Sequence, residues 1–193
     1  MENLQEQLEE PYKIEQIIGH NDFLGIDEET KESVSIILVT HLFPNISDAS
    51  RILNYLYTFS KLDHENIIKL KNLKKNLINK DSIFVITETL ESNLYQLVKC
   101  NVELIEVQRQ FFLYQILRAL KYLHSINIIM KDLNTGQIEV NSNCEIKIQF
   151  FDLAKIDDCY CISRYKAPEL YLAPENASFS CDIWSVGCIL FEL

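Results

Sequence analysis

One stretch constrains this chain more than any other. Ile128-Ile129-Met130-Lys131-Asp132-Leu133-Asn134 sets a single carboxylate in a short polar loop. Two apolar runs follow, Ile138-Glu139-Val140 and then Lys147-Ile148-Gln149-Phe150-Phe151, separated by Asn141-Ser142-Asn143-Cys144. The order reads as loop, strand, tight turn, strand.

The rest of the chain arranges itself around that segment. Residues 1–10 read as a frayed tail. Tyr12–Gly19 alternates loosely and ends on glycine, and Glu32–Val39 is β-branched, so both read as strands with the solvated turn Asp27–Lys31 between them. Ser47 is placed to cap a helix from Asp48 to Leu62, with Ile52, Leu53, Leu56 and Phe59 at helical spacing. Asp63-His64-Glu65-Asn66 breaks that pattern. Ile67–Leu73 and Ser82–Thr87 read as a strand pair joined by the Asn-rich turn Lys74–Lys80. Glu106–Ser125 carries the clearest helical stripe: Phe112, Leu113, Ile116, Leu117, Leu120 and Leu123. Cys181–Leu193 is apolar nearly all round, which predicts a helix buried on every side. Strands come first and helices later, so the expected class is α+β, with a sheet-rich first part and a helical second part.

A length of 193 residues is enough for one core, or for two small lobes sharing one. The net charge of -10 argues against nucleic acid or an anionic membrane as partner, because both repel acidic surfaces. No apolar run is long enough to cross a bilayer, and the acidic start Met1–Glu10 is unlike a signal peptide, so a cytoplasmic or nuclear protein is expected. The six cysteines (Cys100, Cys144, Cys159, Cys161, Cys181 and Cys188) show no Cys-x-x-Cys zinc spacing and read as reduced thiols. No metal site is expected.

The opening segment, with five further blocks in order, resembles a eukaryotic protein kinase of the MAP kinase branch (the CMGC group). Leu62–Ile68 resembles the junction after the helix of the first lobe. Leu90–Leu97 resembles the hinge and the helix that follows it, and Gln115–Ser125 the helix before the catalytic loop. Ala167-Pro168-Glu169 resembles the close of the activation segment, and Asp182–Cys188 the start of the next helix. The resemblance implies a protein kinase-like fold: a tail over residues 1–11, a β-rich first lobe over 12–90, and a partial helical second lobe over 91–193. The family's later helices are absent from the sequence, so part of the last helix is expected to be exposed.

Position by position, the resemblance keeps the shape and loses the charge. The kinase pattern His-Arg-Asp-Leu-x-x-x-Asn survives at Asp132 and Leu133; Met130, Lys131 and Gln137 stand at the other places. The metal-binding Asp-Phe-Gly is Phe150-Phe151-Asp152. The strand lysine is Ile37, and the glutamate it would pair with is Tyr55. Gly19 and Gly25 remain of the glycine-rich loop, with Asp22 between them adding repulsion toward phosphate. Thr87 takes the gatekeeper place, and Glu88–Leu90 the hinge whose backbone groups bond a purine. Beneath the purine the family's leucine becomes Glu139, costly to bury unless paired. Met130, Phe151 and Phe59 keep the apolar stack of the family. Methionine lacks the hydrogen bond a histidine would make, which puts the link to Asp182 in question. The family's Thr-x-Tyr phosphosite falls on Asp158-Cys159-Tyr160.

The resemblance therefore implies a MAP kinase-like pseudokinase that binds a protein of a phosphorylation cascade as scaffold or allosteric regulator, with no cofactor. Asp132 remains as a relic of the catalytic base. Gly19, Gly25, Thr87, Glu88 and Leu90 mark the weak nucleotide positions. Two alternatives stand beside it: a weak serine/threonine kinase using ATP and Mg, and a decayed fragment.

Overall fold

A computed structural model of the chain describes residues 2–19, 21–40, 46–150 and 164–193. Its described residues divide into two compact units, the first from residues 2–62 and 68–89, the second from residues 63–67, 90–150 and 164–193.

The first unit is a five-stranded antiparallel sheet. Its strands are β1 (Tyr12–Ile17), β2 (Asp22–Asp27), β3 (Ser33–Thr40), β4 (Leu70–Lys75) and β5 (Ser82–Glu88), ordered β1-β2-β3-β5-β4. Central β3 is buried on both faces from Val34 to Val39, which is why its sequence is apolar there except for the small Ser35 rather than an alternation. Ile36 lies opposite Phe23 on one side and Ile86 on the other. With Val34, Leu38 and Phe84 these form the core of the sheet. Residues 2–10 are not a frayed tail. The short helix α1 (Glu2–Gln5) leads to Leu8, buried in that core, and Gln5 spans the outer edge of β1. Its Oε1 accepts from the Ile14 N–H at 2.8 Å and its Nε2 donates to the Tyr12 carbonyl at 3.0 Å. An edge strand thus has its backbone groups covered by a side chain.

The helix α2 (Ile46–Lys61) starts two residues before the expected Asp48, which places Ser47 inside it rather than at its cap. Ile52, Leu56 and Phe59 are buried as their spacing predicts, while Leu53 is exposed. β4 begins three residues later than expected and runs on to Lys75.

The second unit contains β6 (Ser92–Asn93), α3 (Leu94–Lys99), α4 (Glu106–Ser125), β7 (Ile138–Val140), β8 (Ile146–Ile148), the short α5 (Glu169–Leu172) and α6 (Ser180–Glu192). The three strands form a small sheet, β6-β7-β8. α4 buries Phe112, Ile116, Leu120 and Leu123 along its stripe. A buried amide joins helix to sheet: Gln115 Oε1 accepts from Asn66 Nδ2 and the Ile146 N–H, both at 3.0 Å, and its Nε2 donates to the Cys144 carbonyl at 2.8 Å. Asn66 in turn donates to the Ile146 carbonyl at 2.9 Å. Buried polar groups of this kind persist only when paired.

α6 departs from its expected burial. Cys181, Asp182, Ser185, Val186 and Ile189 are buried, but Trp184 is 52% exposed and Phe191 95%. Its apolar circumference is covered on one face only by the described residues.

Candidate functional site

The loop from α4 to β7 is held at both ends by α6. Asp182, fully buried, accepts from the backbone N–H of Met130 at 3.0 Å and of Lys131 at 2.8 Å. The same carboxylate meets His124 Nε2 at 2.8 Å. Lys131 is left-handed, φ 67, and that turn aims two successive amides at one acceptor. A non-glycine residue held there costs roughly 1–3 kcal/mol, which three hydrogen bonds to a buried anion offset. The question raised by Met130 is thereby answered: the link to Asp182 runs through the backbone, and methionine, itself buried, need only fill space.

At the far end of the loop, Asn134 Oδ1 accepts from the Gly136 N–H at 3.0 Å and starts the 3-10 turn Thr135–Gln137. Buried Thr135 Oγ1 lies 2.9 Å from the Tyr165 hydroxyl and donates to Glu192 Oε2 at 3.2 Å. Tyr165 also donates to Glu192. Ser185 Oγ holds the Tyr165 carbonyl at 2.8 Å. Burial, and then the hydrogen bond to Glu192, push the Tyr165 phenol above its ordinary value. None of Thr135, Tyr165 or Glu192 was singled out from sequence. The available signal was the pair of acids in an otherwise apolar helix, Asp182 and Glu192: each anchors one end of the loop. Cys181 beside them is no nucleophile, since burial and the neighbouring Asp182 carboxylate push its thiol up to about 11.

Between these anchors stands Asp132, partly exposed. Its Oδ1 has no hydrogen-bond partner among the described residues, so that oxygen does not tie up nearby backbone as a purely structural aspartate would. The two positions that would hold a metal do not fit one. Gln137 is buried, carries its amide one methylene further out than asparagine, and its main-chain carbonyl accepts from the Gln149 N–H at 2.7 Å. Phe150 is buried and has no donor atom in its side chain. Phe151, Asp152 and Asp158-Cys159-Tyr160 lie outside the described residues.

Gly19, Gly25, Thr87 and Glu88 belong to the first unit, Leu90 and Asp132 to the second. The amides of Ile18 and Gly19 both donate to the Asp22 carbonyl, at 2.9 and 3.0 Å, so the turn closes on itself. A phosphate cradle needs such amides pointing at the ligand. Gly25 lies inside β2, opposite Val34, and a Cβ there would stand 2.4 Å from the Lys13 carbonyl oxygen. Its role is close strand packing. Ile37, where a phosphate-binding lysine would stand, is buried in β3 opposite Asp22 and Val85. Thr87 is buried, and Glu88 is drawn to β4's approach: its carboxylate accepts from the Lys69 N–H at 2.7 Å. The Leu90 N–H donates to Glu139 Oε2 at 2.6 Å. That contact joins two positions the sequence treated separately.

A family model described as "Protein kinase domain" matches residues 21–193. Mitogen-activated protein kinase 5 of Oryza sativa subsp. japonica is 40% identical over 174 residues, covering 86% of this chain and 47% of that protein. The mitogen-activated protein kinase homolog NTF6 of Nicotiana tabacum is 38% identical, over 86% of the chain and 47% of its own length. Mitogen-activated protein kinase 3 of Arabidopsis thaliana is 38% identical, over 87% and 48%. The chain spans about half the length of the curated relatives it matches.

Proposed function

The chain belongs to the protein kinase family, and on that premise we propose that it is a MAP kinase-like pseudokinase, which binds a protein of a phosphorylation cascade as scaffold or allosteric regulator. One observation carries the reading. The catalytic-loop backbone is gripped at Met130 and Lys131 by Asp182, while Ile37 and Phe150 are buried and apolar where phosphoryl transfer needs charge, and a longer glutamine, Gln137, takes the place of the metal-binding asparagine. Each lost preorganised group costs about 2.7–4 kcal/mol of transition-state stabilisation. These losses are not additive. Even two in full would reduce a typical turnover of about 1–100 per second to a negligible rate. Partner binding uses the packed frame and is untouched by those losses.

Titration of the chain with ATP and magnesium in a thermal-shift assay is expected to give no stabilisation. A shift of several degrees at micromolar nucleotide would overturn the reading. A second reading, a weak serine/threonine kinase using ATP and Mg, draws on one feature, the half-buried Asp132, one of whose carboxylate oxygens has no hydrogen-bond partner among the described residues. Radiolabelled phosphate transfer abolished by Asp132→Asn would establish it.

A further inference from the structure

Glu139 sits in the middle of β7 between Ile138 and Val140, both buried. Alternation along the strand puts the Glu139 side chain on the other face. Its cross-strand neighbours are Asn93 on β6 and Lys147 on β8. Two residues before β6, the Leu90 N–H donates to the Glu139 carboxylate at 2.6 Å. A hydrogen bond accepted by a carboxylate is charge-assisted.

We infer that Glu139 is a built-in occupant of the hinge, a specificity residue that takes the Leu90 N–H a purine ring nitrogen would need and so excludes neutral purines. The inference deepens the pseudokinase reading and rests on its identification of Glu88–Leu90 as the hinge. Two effects act together. The bond is intramolecular, and the sheet already holds both partners, so a purine must displace it from solution at full entropic cost. An ionised carboxylate also has acceptor lone pairs only, and it meets the acceptor edge of a purine with repulsion. A purine that displaced it would leave a half-buried carboxylate short of its donor.

The probe is adenosine, which brings neither phosphate nor metal, titrated against the full chain by isothermal calorimetry. Glu139→Leu removes the carboxylate and frees the amide, and its adenosine affinity is expected to rise by about tenfold or more over the unsubstituted chain. Glu139→Gln keeps an oxygen that accepts from Leu90, and is expected to gain much less. Equal affinity in the unsubstituted chain and Glu139→Leu overturns the inference. A second measurement needs no variant: the Leu90 amide is expected to exchange slowly with deuterium, and exchange at the rate of an unbonded surface amide overturns the inference as well. Phosphate transfer by Glu139→Leu with Mg and ATP would sink the pseudokinase reading and leave the exclusion by Glu139 standing.

Discussion

The loop leading into β7 and the turn joining β1 to β2 both occupy places where a kinase does chemistry, and they depart from the family's pattern differently. In the loop, every backbone anchor is in place: Asp182 holds Met130 and Lys131, and Asn134 holds Gly136. What is missing is the side-chain charge around it. In the turn, the backbone itself is spent, because Ile18 and Gly19 both donate to Asp22. The difference teaches which atoms carry a frame. A loop gripped by its amides tolerates replacement of its side chains, so methionine can stand for histidine without releasing Asp182. A turn that must offer its amides to a ligand has no such tolerance, and here two of those amides are already bonded to a carbonyl.

The sharpest way to break this comparison is Asp182→Ala. It would leave the Met130 and Lys131 amides and His124 facing a buried gap with no acceptor. Hydrogen bonds to a charged group are worth about 1.5–3 kcal/mol each, and losses in one network are not additive. A fall of about 3 kcal/mol or more in unfolding free energy is expected from urea denaturation. Asp182→Asn keeps one oxygen acceptor and should lose roughly half as much. If Asp182→Ala costs under about 1 kcal/mol, the loop is not held in the way described.

Gly25→Ala sharpens the comparison from the side of the turn. The added Cβ meets the Lys13 carbonyl oxygen at 2.4 Å and Ile36 Cδ1 at 2.6 Å, so β1 or β3 must shift. Overpacking of this kind costs about 1–3 kcal/mol. Urea melts are expected to show that loss, because Gly25 serves packing. A glycine kept for a ligand would tolerate alanine with little change in stability.

How far sequence alone reaches is visible in the same residues. The central run of β3, the stripe of α4 and the strand–turn–strand after Asp132 were legible, because each is a local pattern with one dominant period. Composition alone predicted an α6 buried on every side, whereas the family resemblance predicted partial exposure; Trp184 and Phe191 are exposed, because exposure depends on what packs against them. The polar start of the chain looked featureless, yet Gln5 pairs with β1 through groups that no hydropathy pattern registers. The grip of Asp182 on Met130 was left in question because the partners are amides, which every residue has. The Leu90–Glu139 bond spans 49 positions, and only the fold makes those residues neighbours.

The smallest expected effect tests the other end of the loop, with pH as a separate handle. Tyr165→Phe removes the hydroxyl between Thr135 and Glu192 but leaves the Thr135–Glu192 bond. A loss of about 1 kcal/mol at neutral pH is expected. The phenol is raised above its ordinary value by burial first and by Glu192 second, so the folded chain holds this proton more tightly than the unfolded chain does. Below about pH 10 both states are protonated, and the contribution of Tyr165 is fully present. As pH rises past that point the unfolded chain ionises first, and the contribution drains away until the folded phenol titrates too. Other tyrosines ionise in the same range, so the informative quantity is the stability of the unsubstituted chain minus that of Tyr165→Phe, measured from pH 8 to pH 11. That difference should shrink toward the alkaline end. A flat difference would mean that Glu192 does not confine the phenol, and that Asp182 alone secures the loop.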